Sequence, residues 1–333
     1  HGLLYPSGAQ GVAELKRLLW LFALCLLAAG LAAQEYKVAA FTENFVIHSV
    51  DGGFPGGRSF VDELDSRIGK LQMDLGVYPE GKAEIFIVPD RASYQALARG
   101  RGAIVEFSEA FYSGRERRIY ARSADQVPAN YSGLILHEYT HWLLDELMIG
   151  APLWLHEGLA TEYGHQLGLD RYYHYVRERF WGNRMDLFRL AYNYPKQRED
   201  WEMYYLTSYF AVRYMREKDP KAWRAFWNIV AAHNRRGERV RFAEAFGRAY
   251  NSNLHSFSLD FAEASRRKAW IYLITGFSSL IFALLPFMVI IATLRQRRKM
   301  NALPDLELPA EIEVTVPETN PPEASGQDEQ PEP

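Results

Sequence analysis

Cysteine is almost missing from this chain: there is one, Cys25, in 333 residues. It lies inside an N-terminal apolar run, so the chain beyond that run has no disulfide and no thiolate to offer a metal. Any metal site must therefore use histidine and carboxylate. An excess of positive charge is missing too. With 38 Lys and Arg against 41 Asp and Glu, the net charge is −3, which argues against a nucleic-acid binder, for which a markedly basic balance is usual. No internal repeat is visible, which removes solenoids and propellers. What remains is an ordinary globular composition, 48% hydrophobic and 14% aromatic, enough for one sizeable domain with appendages.

Two appendages flank that domain. Lys16-Arg17 precede an apolar run, Leu18–Ala33, that ends in small residues. This is the layout of a secretory signal peptide, with cleavage expected near Ala33–Gln34. Leu24 stands where a lipidation signal wants a small residue, so Cys25 is not read as a lipid anchor. Residues 1–14 are set aside as upstream sequence. The second appendage is Trp270–Leu294, which contains no charged residue. At 1.5 Å per residue it is long enough to cross a hydrocarbon core of roughly 30 Å. Arg266-Arg267-Lys268 precede it and Arg295, Arg297, Arg298 and Lys299 follow, so flanking charge orients it only weakly. The signal peptide decides the orientation, with the domain outside (periplasmic or extracellular) and the carboxyl terminus in the cytoplasm. Beyond Met300 come nine acids, seven prolines and no base, a tail expected to be disordered and available to a cytoplasmic partner. The expected layout is 1–33, upstream residues and signal; 34–265, the domain; 266–299, a transmembrane helix with basic flanks; and 300–333, the tail.

The domain carries one motif with chemistry in it, His137-Glu138-Tyr139-Thr140-His141. Histidines four residues apart on a helix share a face, so both imidazoles reach one Zn²⁺. The glutamate beside the first points about 100° away. It is badly placed as a third ligand and well placed to take a proton from a zinc-activated water. Chance would produce this pattern somewhere in roughly a few per cent of such chains, so the neighbourhood arbitrates. Leu134, Leu136, Leu143, Leu144 and Leu147 give apolar faces at helical spacing, and Gly150 and Pro152 give a stop, predicting a largely buried helix over 129–148. Buried histidines need partners; a metal supplies one for the pair, and backbone carbonyls are the plainer alternative.

A third ligand is expected from a returning helix that starts after the Gly150-Ala151-Pro152 turn. Within Trp154-Leu155-His156-Glu157-Gly158, adjacent helical residues diverge, so either Glu157 or His156 can face the histidines, with Glu157 preferred. Asp145, one turn beyond His141, is placed to orient a ligand imidazole or simply to be solvated. Glu162 reads as an outer-sphere or surface acid.

H-E-x-x-H followed by W-L-x-E-G-x-A-x-E resembles the gluzincin metallopeptidases, most closely the peptidase-MA-like group related to the aminopeptidase-N family, over roughly residues 35–260. The resemblance implies an α+β, thermolysin-like domain with a small mixed sheet, an active-site helix and a helical C-terminal half. It implies Zn²⁺ on His137, His141 and Glu157, and Glu138 as general base. In that family a tyrosine from a later helix helps to stabilise the tetrahedral oxyanion. Tyr205-Leu206-Thr207-Ser208 loosely matches that segment and nominates Tyr205, with Tyr204 and Tyr209 as rivals and a plain core role as the alternative. The Gly-x-Met-Glu-Asn segment that anchors a substrate amino terminus in aminopeptidases is absent, so endopeptidase and aminopeptidase both stay open. Gly102–Phe107 stands in its place and reads as a strand that could pair with extended substrate, with Glu106 as an amine anchor or a solvated acid.

Strands are expected within Tyr36–His48 and over Ala83–Val88, near Ile104–Tyr112 and over Arg118–Ala121. Helices are expected over Ser59–Leu75, Arg91–Ala98, Leu169–Phe180, Met203–Glu217, Lys221–Asn234 and Val240–Tyr250. The sequence thus reads as a single-pass, extracytoplasmic zinc metallopeptidase acting on peptide or protein substrates from the membrane bilayer, without nucleic-acid partners. The competing reading from another class is a non-catalytic receptor or scaffold that binds peptides on a peptidase-like domain.

Overall fold

The computed structural model describes residues 35–52, 54, 56–101, 105–106, 108–123, 130–164, 170–181 and 186–301. The expected signal peptide and acidic tail lie outside the described residues. The architecture is mixed α/β and mostly helical, with a five-stranded mixed sheet followed by a helical half. The described residues up to Thr275 form one compact unit, and those from Gly276 onward a second.

The Tyr36–His48 stretch makes two antiparallel strands, β1 (Lys37–Phe41) and β2 (Phe45–Ser49). Helix α1 (Gly57–Leu75) crosses over to β3 (Ala83–Val88), which pairs in parallel with β2. Phe60, Val61, Leu64, Ile68, Leu71 and Leu75 recur at helical spacing on α1 and are all buried, which fixes the face it turns to the sheet. Helix α2 (Arg91–Ala98) starts where the Asp90 side chain accepts the Ser93 backbone N–H, a standard N-cap. A hairpin of β4 (Ala110–Ser113) and β5 (Arg118–Arg122) completes the sheet, with β5 parallel to β3. The order β1-β2-β3-β5-β4 leaves β4 on an edge. Side chains of β3 alternate with the two-residue period of a strand: Ile85 and Ile87 enter the main core, while Phe86 and Val88 join Tyr94 and Phe111 beneath α2.

One expected strand is corrected. Val105 and Glu106 are helical, and the edge strand begins at Ala110. Local bonds occupy the described residues here: the Glu106 carboxylate accepts the Gly100 N–H at 2.9 Å, and the Ser108 hydroxyl donates to the Val105 carbonyl at 2.9 Å. Such side-chain bonds compete with a sheet ladder.

Helix α3 (Tyr131–Leu147) carries the H-E-x-x-H motif and packs on α1, β4 and β5 on one side and on the helical half on the other. Burial on nearly every face explains its leucine-rich composition. The helix ends in β6 (Met148–Ile149), which pairs in parallel with β7 (Val240–Arg241). The expected helix over Val240–Tyr250 therefore begins two residues late, as α8 (Phe242–Tyr250). Between these strands run α4 (Leu153–Tyr163), α5 (Asp170–Trp181), α6 (Trp201–Lys218) and α7 (Pro220–Asn234). Helix α7 has Pro220 in its first turn and an Asp219 cap on the Lys221 and Ala222 amides. Gly158 is required in α4, because a Cβ there would lie 2.4 Å from the Ser208 carbonyl oxygen of α6. The two helix backbones touch at this point.

Helix α9 spans Leu254–Asn301, so the expected spanning segment 266–299 is the later part of a longer helix. Phe257, Phe261, Ser265 and Ala269 are buried along its first turns. Farther along, its apolar side chains are exposed, and the helix is long and apolar enough to cross a membrane.

Candidate metal centre

Helix α3 sets His137 and His141 one turn apart with ring centroids at 5.0 Å. The Gly150 turn, where φ is +70°, reverses the chain and brings α4 alongside. Glu157 of α4 then faces both rings: its Oε2 is 3.4 Å from His137 Nε2, and its Oε1 is 3.8 Å from His141 Nε2. One ligand atom from each of the three residues falls within 4.8 Å of the others. His137 and Glu157 are buried, and the His141 side chain is 12% exposed. They line a cavity of about 730 Å³ whose walls include β4, Tyr194 and Tyr205.

The donors fit a metal. Ligands at about 2.0–2.1 Å in a tetrahedron lie roughly 3.3 Å apart, close to the 3.4 Å between Glu157 Oε2 and His137 Nε2. Glu157 Oε2 and His137 Nδ1 are buried without hydrogen-bond partners. A buried carboxylate oxygen with no hydrogen bond, facing only an imidazole at 3.4 Å, is poorly satisfied, and a cation between it and the imidazoles would satisfy it.

Protonation follows from the crowding of charge in a dry site. Burial alone would raise the Glu157 carboxyl. The His141 and His137 imidazoles and the Tyr194 hydroxyl outweigh it and hold the group down at about 2. Burial takes His141 down to about 3, so its imidazole is neutral, as a ligand must be. Burial also pulls on His137, but the Glu157 and Glu138 carboxylates overcome it and leave that ring raised. Glu138 is lifted to about 7, chiefly by burial, against the opposing pull of His137.

Glu138 lines the same cavity, and its Oε2 accepts the backbone N–H of Tyr112 at 2.7 Å. One carboxylate oxygen is thus tied to the edge strand. Of the three tyrosines considered on α6, only Tyr205 lines the cavity, its ring centroid 6.3 Å from that of His137. Tyr204 is fully buried and packs against Tyr194 and Tyr205. Tyr209 packs on Phe210 and accepts a bond from Arg213. Burial raises the Tyr205 phenol, so it is a protonated donor at neutral pH.

His156 stacks on His141 at 5.6 Å, with the two Nδ1 atoms 3.4 Å apart, while its Nε2 lies 4.0 Å from Asp145 Oδ1. His156 is therefore a neighbour of His141, with the Asp145 carboxylate on its far side. Glu162 makes a two-pronged ion pair with Arg216 of α6 at 2.9 and 2.8 Å. Glu106 does not line the cavity.

No family model matches the chain, and no curated protein matches it. The functional reading therefore stands on this geometry.

Two contributors escape a reading of the sequence. The Tyr112 amide that holds Glu138 carries no residue identity, so no motif encodes it. Tyr194 comes from the segment between α5 and α6, and its hydroxyl donates to Glu157 Oε1 at 2.9 Å. Nothing in the composition of Tyr192-Asn193-Tyr194-Pro195 marks it as part of the site.

Proposed function

We propose that this chain is a membrane-anchored zinc metallopeptidase with a thermolysin-like, gluzincin domain, its catalytic domain extracytoplasmic and its carboxyl terminus cytoplasmic. The observation that carries the reading is the buried His137–His141–Glu157 group at the wall of a large cavity, with the unligated Glu138 beside it. His137, His141 and Glu157 would hold the ion, which when bound supplies Lewis-acid polarisation of a carbonyl and a lowered pKa for water.

The chain's own residues do the rest. Glu138, held through one oxygen by the Tyr112 amide, takes the proton of the attacking water on the other and passes it to the leaving nitrogen. The Tyr205 hydroxyl donates to the oxyanion that forms on the attacked carbonyl. The open edge of β4, which lines the cavity, offers backbone groups to an extended peptide. The orientation rests on the N-terminal signal, and the anchoring on the apolar length of α9.

The test uses the full chain in detergent. One zinc per chain is expected, lost in His141→Ala. Glu138→Gln should keep the zinc and lose cleavage of a peptide library by at least 10²-fold, the low end for a general base. Cleavage by Glu138→Gln at the unaltered rate would sink the mechanism. Tight peptide binding by the zinc-loaded wild type without any cleavage would favour a receptor.

A further inference from the structure

We infer that Tyr194 is a positioning residue that fixes which oxygen of Glu157 is offered to the metal. The inference rests on the zinc reading above and concerns a residue that motif and helix pattern leave out. The two oxygens of Glu157 are not equivalent. Oε1 receives the Tyr194 hydroxyl at 2.9 Å, whereas Oε2 is buried, has no hydrogen-bond partner and lies 3.4 Å from His137 Nε2. A carboxylate between two imidazoles can bind a cation through one oxygen or through both. The phenol occupies a lone pair of Oε1 and leaves Oε2 as the ligand atom, so Glu157 is held to single-oxygen ligation and a position stays open for water and substrate.

The way Tyr194 is mounted supports this role. The residue is exposed, at 42%, yet its hydroxyl reaches the buried carboxylate. The ring leans edge-on against Tyr204 with centroids 5.5 Å apart, and Tyr204 is itself fully buried in α6. The phenol is thus braced from behind by the core. Tyr194, Pro195 and Lys196 line the same cavity as the three ligands, so one short segment both shapes the substrate space and sets the ligand.

The experiment compares the wild type, Tyr194→Phe and, as a control on the same segment, Tyr192→Phe, all as full chains in detergent. Zinc affinity is read by competition with a chromophoric chelator, and coordination by the visible absorption of the cobalt(II)-substituted protein. Tyr194→Phe keeps the ring and its packing, and unchanged helical circular dichroism and melting temperature establish that it is folded. The expected result is a 10–100-fold loss of zinc affinity, the usual effect of removing a partner that orients a ligand. It should be accompanied by weaker cobalt absorption as Glu157 turns to bind through both oxygens and the coordination number rises. Tyr192→Phe should change neither. Wild-type affinity and an unaltered cobalt spectrum in folded Tyr194→Phe would overturn the inference while leaving the metal site standing. A wild type that binds no zinc would overturn both.

Discussion

A single hydrogen atom on Gly158 holds two parts of the site in register. Its missing side chain lets α4 approach α6 until a Cβ would fall 2.4 Å from the Ser208 oxygen and 2.5 Å from Val212. Glu157 is the adjacent residue, and Tyr205 is one turn before Ser208. Gly158→Ala should therefore separate the helices, costing about 1–3 kcal/mol of stability as overpacking does, measured by denaturant unfolding. Zinc affinity should fall with it, because the ligand and the cavity wall move apart. At this scale the sequence was partly legible. His137, Glu138 and His141 announce themselves by spacing, and Glu157 by the helix that returns after Gly150-Ala151-Pro152. Tyr194 was not legible, because its contact with Glu157 spans 37 residues and depends on how an irregular segment folds back. The Tyr112 amide was less legible still, since every residue but proline has one.

At the scale of elements, helix α2 and strand β3 lie where local signals place them, at Arg91–Ala98 and Ala83–Val88. An Asp90 cap and a near-continuous apolar run are short-range features. Val105 and Glu106 failed the same treatment because the apolar residues around them resemble a strand while the Glu106 and Ser108 side chains bond locally. The Asp90 cap makes a prediction with a pH signature. The Ser93 backbone N–H lowers the Asp90 carboxyl below its ordinary value. The cap's stabilisation is therefore complete above the unfolded carboxyl pKa of about 3.9 and disappears as pH falls through the depressed folded value. Asp90→Ala should cost about 1 kcal/mol at pH 7, the usual worth of such a cap. The stability difference between the variant and the wild type should vanish in acid. A difference that persists unchanged at low pH would assign the effect to something other than the carboxylate.

For the molecule as a whole, the small mixed sheet followed by helices was readable from the switch in apolar period along the chain. The lateral order of the strands was not, because strand pairing between β3 and β5 is decided by tertiary packing. The apolar length of α9 was legible from composition alone and carries its own prediction. An arginine near the centre of a spanning helix costs about 2.5–3.5 kcal/mol. Phe282→Arg combined with Leu285→Arg should release the chain from membranes on alkaline extraction, while the wild type stays in the pellet. Retention of the double variant would argue that α9 is not the anchor.

The two-residue pairing of β6 with β7, reinforced by Arg239 donating to the Met148 carbonyl across 91 residues, turns the helical half into a closed excursion. Chain leaves the end of the motif helix and comes back to the same spot. Closure entropy grows only with the logarithm of loop length, about 0.6 kcal/mol per doubling. Segments inserted or removed within the excursion, away from Glu157, Tyr194 and Tyr205, therefore cost little at the point where the loop is fastened. The region lining the cavity can thus change in length while the two histidines and the glutamate that faces them keep their places.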